Sequence, residues 1–162
     1  MVNQKTILLY NYCCINILHF NYLYNLFYTF ILKILYLSYD GMTDTLGQSQ
    51  VLPYLIGLSK LGHNITIVSA EKKDNFMKRQ LLINQIVDES NIKWKPIFYT
   101  KNPPVISTIL DVFKIKNISK ELHVKENFDI VHCRSYITSL VGLHLKRNYK
   151  LKFLFDMRGF LV

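Results

Sequence analysis

From Lys33 onward, apolar runs alternate with segments whose apolar positions recur at helical spacing. Ile34–Tyr39 is apolar on both faces, as a central strand of a parallel sheet must be. Ser49 is placed to cap a helix reaching about Leu61, with Val51, Leu55 and Leu58 on one face. Pro53 falls in its first turn, where the missing N–H costs little, and Gly62 ends it. Ile65–Ser69, rich in β-branched residues, predicts a second strand. A polar helix over Asp74–Asp88, a third strand at Ile92–Tyr99 and a loop at Asn102-Pro103-Pro104 follow. Ile106–Leu122 reads as a helix with Leu110, Phe113 and Ile118 as buried candidates. Asp129–Cys133 predicts a fourth strand, Tyr136–Lys146 a helix and Lys152–Met157 a fifth strand.

This rhythm predicts an α/β fold, a Rossmann-like doubly wound parallel sheet with right-handed crossovers. In the strand order 3-2-1-4-5 the chain leaves strands 1 and 4 in opposite directions. Ligands of such sheets bind in the crevice at that switch point. Three polar sets face it. Asp40, Gly41, Thr43, Asp44, Gly47, Gln48 and Ser49 follow strand 1, and His132, Arg134, Ser135 and Tyr136 stand at the end of strand 4. Asp156, Arg158 and Gly159 close strand 5. Gly47 permits close backbone approach, and the helix N-terminus after it offers free N–H groups to a phosphate or a sugar hydroxyl. Arg134 or Arg158 can supply charge, and His132 can donate to a substrate hydroxyl or move a proton. Each residue also has a plainer role: Gly41 and Gly47 as turns, Asp40 or Ser49 as caps, Asp156 and Arg158 as a surface pair, His132 as a strand-end histidine. His63, next to a helix-ending glycine, reads as structural.

Composition narrows the field. Of 162 residues half are hydrophobic, enough for a real core. The net charge of +9, from 20 basic and 11 acidic residues, favours anionic partners. The lysines are scattered, so no nucleic-acid arm is present and no nucleic-acid partner is expected; a solvated surface and peripheral attachment to an anionic membrane both fit. Three cysteines, Cys13, Cys14 and Cys133, supply neither a disulfide framework nor zinc spacing, which places the chain in a reducing, cytoplasmic compartment. No glycine-rich dinucleotide fingerprint, phosphate-loop motif or nucleophile elbow occurs, and neither a metal nor a cofactor is expected.

Residues 1–32 differ from the rest. They contain one basic residue, Lys5, and no acid, and Ile7–Leu32 is uncharged but interrupted by His19 and four asparagines. The stretch is long enough to span a bilayer, yet it lacks the basic cluster and cleavage site of a signal peptide. A poor membrane anchor, an interfacial aromatic segment and translated sequence upstream of the true start all fit.

The stretches "KILYLSYDGMTDTLGQSQVLPYLIGLSKLGHNITIVSAEK" (33–72), "DIVHCRSYITSLVGLHLKR" (129–147) and "KFLFDMRGF" (152–160) resemble the N-terminal lobe of a family 4 glycosyltransferase of the GT-B fold, the glycosyl transferase group 1 relatives. The resemblance covers residues 33–162. It implies transfer of a sugar from a nucleotide-sugar to a cell-surface polysaccharide or lipid-linked acceptor with retention of configuration, the first of two lobes shaping the acceptor side and no metal being required. By this resemblance His132 is the catalytic-site histidine that contacts the transferred sugar. Gly47, Gln48 and Ser49, in the stretch Gly47–Gln50, approach the donor, while Asp40, Arg134 and Arg158 belong to the cleft. It also implies a missing second lobe, because the sequence stops at Val162. The expectation is a lobe inactive alone, from an interrupted gene or a split enzyme; a non-catalytic sugar- or nucleotide-binding module is the alternative. Such lobes often begin with a Met-Lys-Ile-Leu strand, and Leu32-Lys33-Ile34-Leu35 stands at that position, which favours residues 1–31 as sequence ahead of the true start.

Overall fold

The computed structural model describes residues 31–100 and 103–158. The expected anchor or leader therefore lies, apart from its last two residues, outside the described residues, as do Asn102 and Gly159. Five strands, β1 (Lys33–Ser38), β2 (Asn64–Glu71), β3 (Ile92–Phe98), β4 (Ile130–Arg134) and β5 (Lys152–Asp156), pair in parallel in the order β3-β2-β1-β4-β5. This is the doubly wound order expected from the sequence. The connections are α1 (Leu52–Lys60), α2 (Lys73–Glu89), α3 (Pro104–Glu126) and α4 (Tyr136–Tyr149). A π-helical stretch, Gly47–Val51, leads into α1.

Two cores sandwich the sheet. Ile34, Tyr36, Ile65 and Ile67 meet Val51 of the π-helical stretch, Leu52 and Leu55 of α1, and Ile83 and Val87 of α2. On the other face Leu35, Leu37, Val68, Val131 and Cys133 meet Ile115 of α3 and Val141 and Leu145 of α4. The period-two alternation of the strands divides the residues between these layers. The core under α1 and α2 draws on β1, β2 and β3 and reaches β4 only at Ile130. The same face of β4 and β5 is thus left uncovered beside α1.

Local sequence explains most element ends. The first helix stops in a Schellman motif: Gly62 has φ of 93°, its N–H donates to the Ser59 carbonyl at 2.8 Å, and the His63 N–H donates to that of Leu58 at 3.3 Å. Two local expectations are corrected. Ser49 does not cap the helix, which begins earlier; its hydroxyl donates to the Thr45 carbonyl at 2.8 Å. Leu110 and Phe113 are exposed, and α3 instead buries Ser107, Asp111, Ile115, Ser119 and Leu122. That stripe docks through a carboxylate: Asp111 accepts from the Thr100 N–H at 2.9 Å and from the Tyr39 hydroxyl at 3.2 Å. Among the described residues no helix is long and apolar enough to cross a membrane.

Candidate functional site

The uncovered part of the sheet forms the floor of a cleft of about 560 Å³. Tyr36 of β1, His132 and Arg134 of β4, and Leu154 and Asp156 of β5 point into it from alternate strand positions. Gln50 and Tyr54, four residues apart and so on one helical face, form the wall, and Arg158 stands at the rim.

Arg134 organises the charges. Its side chain is only 3% exposed, and its Nε donates to Asp40 Oδ2 at 3.1 Å. Nη2 donates to Gln50 Oε1 at 3.0 Å, and Nη1 lies 3.8 Å from Asp156 Oδ2. Asp156 also pairs with the Arg158 Nε at 3.2 Å. A guanidinium so enclosed needs such partners, because an unpaired buried charge is costly. Two cations and two carboxylates balance, so the cleft favours a hydroxyl-rich ligand more than a bare anion.

His132 packs edge-on against Tyr36 at 4.7 Å and Tyr54 at 5.7 Å between ring centroids. Among the described residues these aromatic edges hold it, not hydrogen bonds. Burial lowers its pKa from the usual 6.5; Asp156 pulls it upward and Arg134 pushes it further down. The ring is therefore neutral near pH 7, with one nitrogen to donate and one to accept. Burial raises the Tyr36 and Tyr54 pKa values, so both remain phenols able to donate to a ligand.

The structure brings Asp40, His132, Arg134 and Arg158 together as the sequence suggested, with His132 and Arg134 inside β4. Gly47, Gln48 and Ser49 do not line the cleft. A Cβ on Gly47 would meet the Gly41 carbonyl oxygen at 2.2 Å, so this glycine lets the helix start touch its own preceding loop. The Gln48 side-chain amide donates to the Thr43 carbonyl at 3.0 Å. Gln50, at the far end of the same stretch, reaches the cleft instead.

Sequence reading missed Tyr36, Tyr54 and Glu71. Tyr54 carried a signal, its four-residue spacing from Gln50. Glu71 ends an apolar strand, fully buried, and its carboxylate accepts from the Met42 N–H at 2.7 Å and the Thr43 N–H at 3.1 Å. It thereby ties down the loop that delivers Asp40. Among the described residues no three His, Cys, Asp or Glu side chains converge in a way that could hold a metal.

No family model and no curated protein matches the chain. Among solved structures it is similar to the C-terminal domain of PF1911 hydrogenase from Pyrococcus furiosus, at 15% identity and a TM-score of 0.57, over 77% of this chain and 90% of that one. A glycosyltransferase from Rickettsia africae is similar at 21% identity and a TM-score of 0.48, over 78% of this chain and 29% of that one. MurG of Acinetobacter baumannii is similar at 17% identity and 0.46, over 76% and 34%. At such identities the likeness is one of fold: a Rossmann-like parallel sheet flanked by helices.

Proposed function

We propose that residues 33–162 are the acceptor-side lobe of a retaining glycosyltransferase, which moves a sugar from a nucleotide-sugar to a glycan or lipid-linked acceptor. The observation that carries this reading is the neutral His132 in an open cleft beside a fixed arginine, at the switch point of a doubly wound sheet. The motif resemblance of 33–72, 129–147 and 152–160 points the same way. In the proposed reaction the bond from the anomeric carbon to the diphosphate breaks with its electron pair going to the diphosphate, a bond to the acceptor oxygen forms, and the acceptor's hydroxyl proton passes to the departing diphosphate. His132 would hydrogen-bond a hydroxyl of the sugar being moved. Arg134 would act as a positioning residue that holds Asp40, Gln50 and Asp156, and Arg158, 41% exposed, would face the departing diphosphate. Stabilising that leaving group takes further donor-side groups, which a second lobe would supply.

Peripheral membrane contact belongs to the same proposal. Val105, Ile106, Ile109, Leu110 and Phe113 form an exposed apolar stripe on α3, bordered by Lys114 and by Lys116, which lies 5.7 Å from the Phe113 ring centre. Apolar and aromatic residues edged by lysine suit an anionic lipid interface.

The test is sugar transfer by this chain combined with a separately expressed second lobe. His132→Ala should lower turnover roughly 100-fold with an unchanged circular dichroism spectrum; unaltered kinetics would remove His132 from the mechanism. The balanced charge of the cleft also suits a sugar-binding module without catalysis. Saturable sugar binding with no turnover, second lobe present, would establish that reading.

A further inference from the structure

A second recess, of about 290 Å³, opens between the loop after β1 and the start of α2. Asp40 lines it and also bonds Arg134 in the cleft, so the two adjoin at this residue.

Sequence spacing builds one wall of the recess. Lys72, Asn75 and Arg79, three and four positions apart, fall on one face at the start of α2. Lys72 Nζ donates to Asp44 Oδ2 at 2.8 Å, Asn75 Nδ2 donates to Asp44 Oδ1 at 2.5 Å, and Arg79 Nη1 donates to the Thr43 carbonyl at 3.0 Å. The loop itself is fixed by the buried Glu71, which takes the Met42 and Thr43 N–H groups. The Asp44 N–H donates to the Gly41 carbonyl at 3.1 Å. These loop amides are thereby spent, and a ligand in the recess has to be held by side chains.

Its charge differs from that of the cleft. Asp40 is matched by Arg134 and Asp44 by Lys72, whereas Arg79 has no carboxylate partner among the described residues. Arg79 gives a single N–H of its fork to a carbonyl, and Lys72 and Asn75 each keep N–H groups beyond those on Asp44. A surplus of donors around one uncompensated positive charge is the complement of an oxyanion. Donors on three separate side chains match the three terminal oxygens of a phosphate ester better than the two of a carboxylate. The recess is small for a ligand pocket and admits one such group.

We propose that this recess holds a phosphate ester carried by the acceptor, while the acceptor's reacting hydroxyl lies across Asp40 in the cleft. The identity of the ligand rests on the transferase reading; the binding of a phosphate ester does not.

Titration of the full chain, followed by heteronuclear NMR, tests it. Glycerol 3-phosphate should bind saturably at physiological ionic strength and shift the amides of residues 40–46 and 72–79; glycerol should not. Inorganic phosphate should compete for the same site. Lys72→Met and Arg79→Gln, each checked for folding by circular dichroism, should each weaken binding roughly tenfold. Lys95→Met, which removes the same charge from β3, should leave it unchanged. With a separately expressed second lobe, the first two variants should raise KM for an acceptor bearing a phosphate ester and leave kcat as it was. No saturable binding of glycerol 3-phosphate, or an equal loss in Lys95→Met, would overturn the inference. So would a site that takes inorganic phosphate and excludes the ester. Ester binding weakened by Lys72→Met and Arg79→Gln, with no sugar transfer by any variant, would support the subsite and count against the transferase reading alone.

Discussion

His132 and Ser135 show how much chemistry a single backbone position can set. The buried His132 has a pKa below the ordinary 6.5, so the unfolded chain takes up a proton at a higher pH than the native one. Stability is then complete above about pH 6.5 and declines as pH falls through the native value. His132→Gln should flatten that decline in urea titrations run between pH 7 and 5; an identical slope would show that other groups dominate it. Ser135 holds φ of 78° and ψ of 167°, a region natural to glycine. It turns the chain from β4 into α4, with its N–H on the Asp156 carbonyl at 3.1 Å. Ser135→Gly should stabilise the protein by about 1 kcal/mol, the relieved strain exceeding glycine's entropic penalty, read as a rise in the urea midpoint. Nothing in a serine codon announces such a conformation, so this feature was invisible in the sequence.

At the scale of elements, two helical glycines make opposite predictions. Gly142 brings α4 against the sheet: an added Cβ would lie 2.4 Å from Cys133 Sγ and 2.5 Å from Phe153 Cε2. Gly142→Ala should cost about 2 kcal/mol through overpacking. Gly57 of α1 faces open space, and Gly57→Ala should add about 1 kcal/mol through helix propensity. Chemical denaturation of both variants checks the pair, and equal shifts would contradict the packing argument. Strand and helix positions were legible because period two and period 3.6 are written in the apolar residues. The inward face of α3 was not, since its outward stripe, Val105 to Phe113, is the more hydrophobic and the docked stripe includes Ser107, Asp111 and Ser119. Ser49 misled for a related reason: good capping chemistry is common inside a helix that started a turn earlier.

For the molecule as a whole, Cys133 is a probe of global opening. It lies fully buried in β4 beneath α4, and burial raises its thiol pKa to about 12, so almost no thiolate is available in the folded state. In a Cys13→Ser, Cys14→Ser background its labelling by a thiol reagent should require global unfolding and follow the same urea dependence. Labelling much faster than that would show that β5 and α4 open as a separate unit.

The sequence by itself determined the strand order, the alternation of layers and the presence of His132, Arg134 and Arg158 near one switch point, because these follow from local periodicity and from the handedness of crossovers. Only the tertiary structure decided which face of β4 and β5 stays uncovered. It also decided that Gln50 and Tyr54 wall the cleft while Gly47 serves its own loop, and that Arg134 is shared among Asp40, Gln50 and Asp156. Those outcomes depend on where α1 comes to rest across the sheet, a balance of contacts between residues as distant in sequence as Asp40 and Arg134, 94 positions apart, which no local pattern encodes.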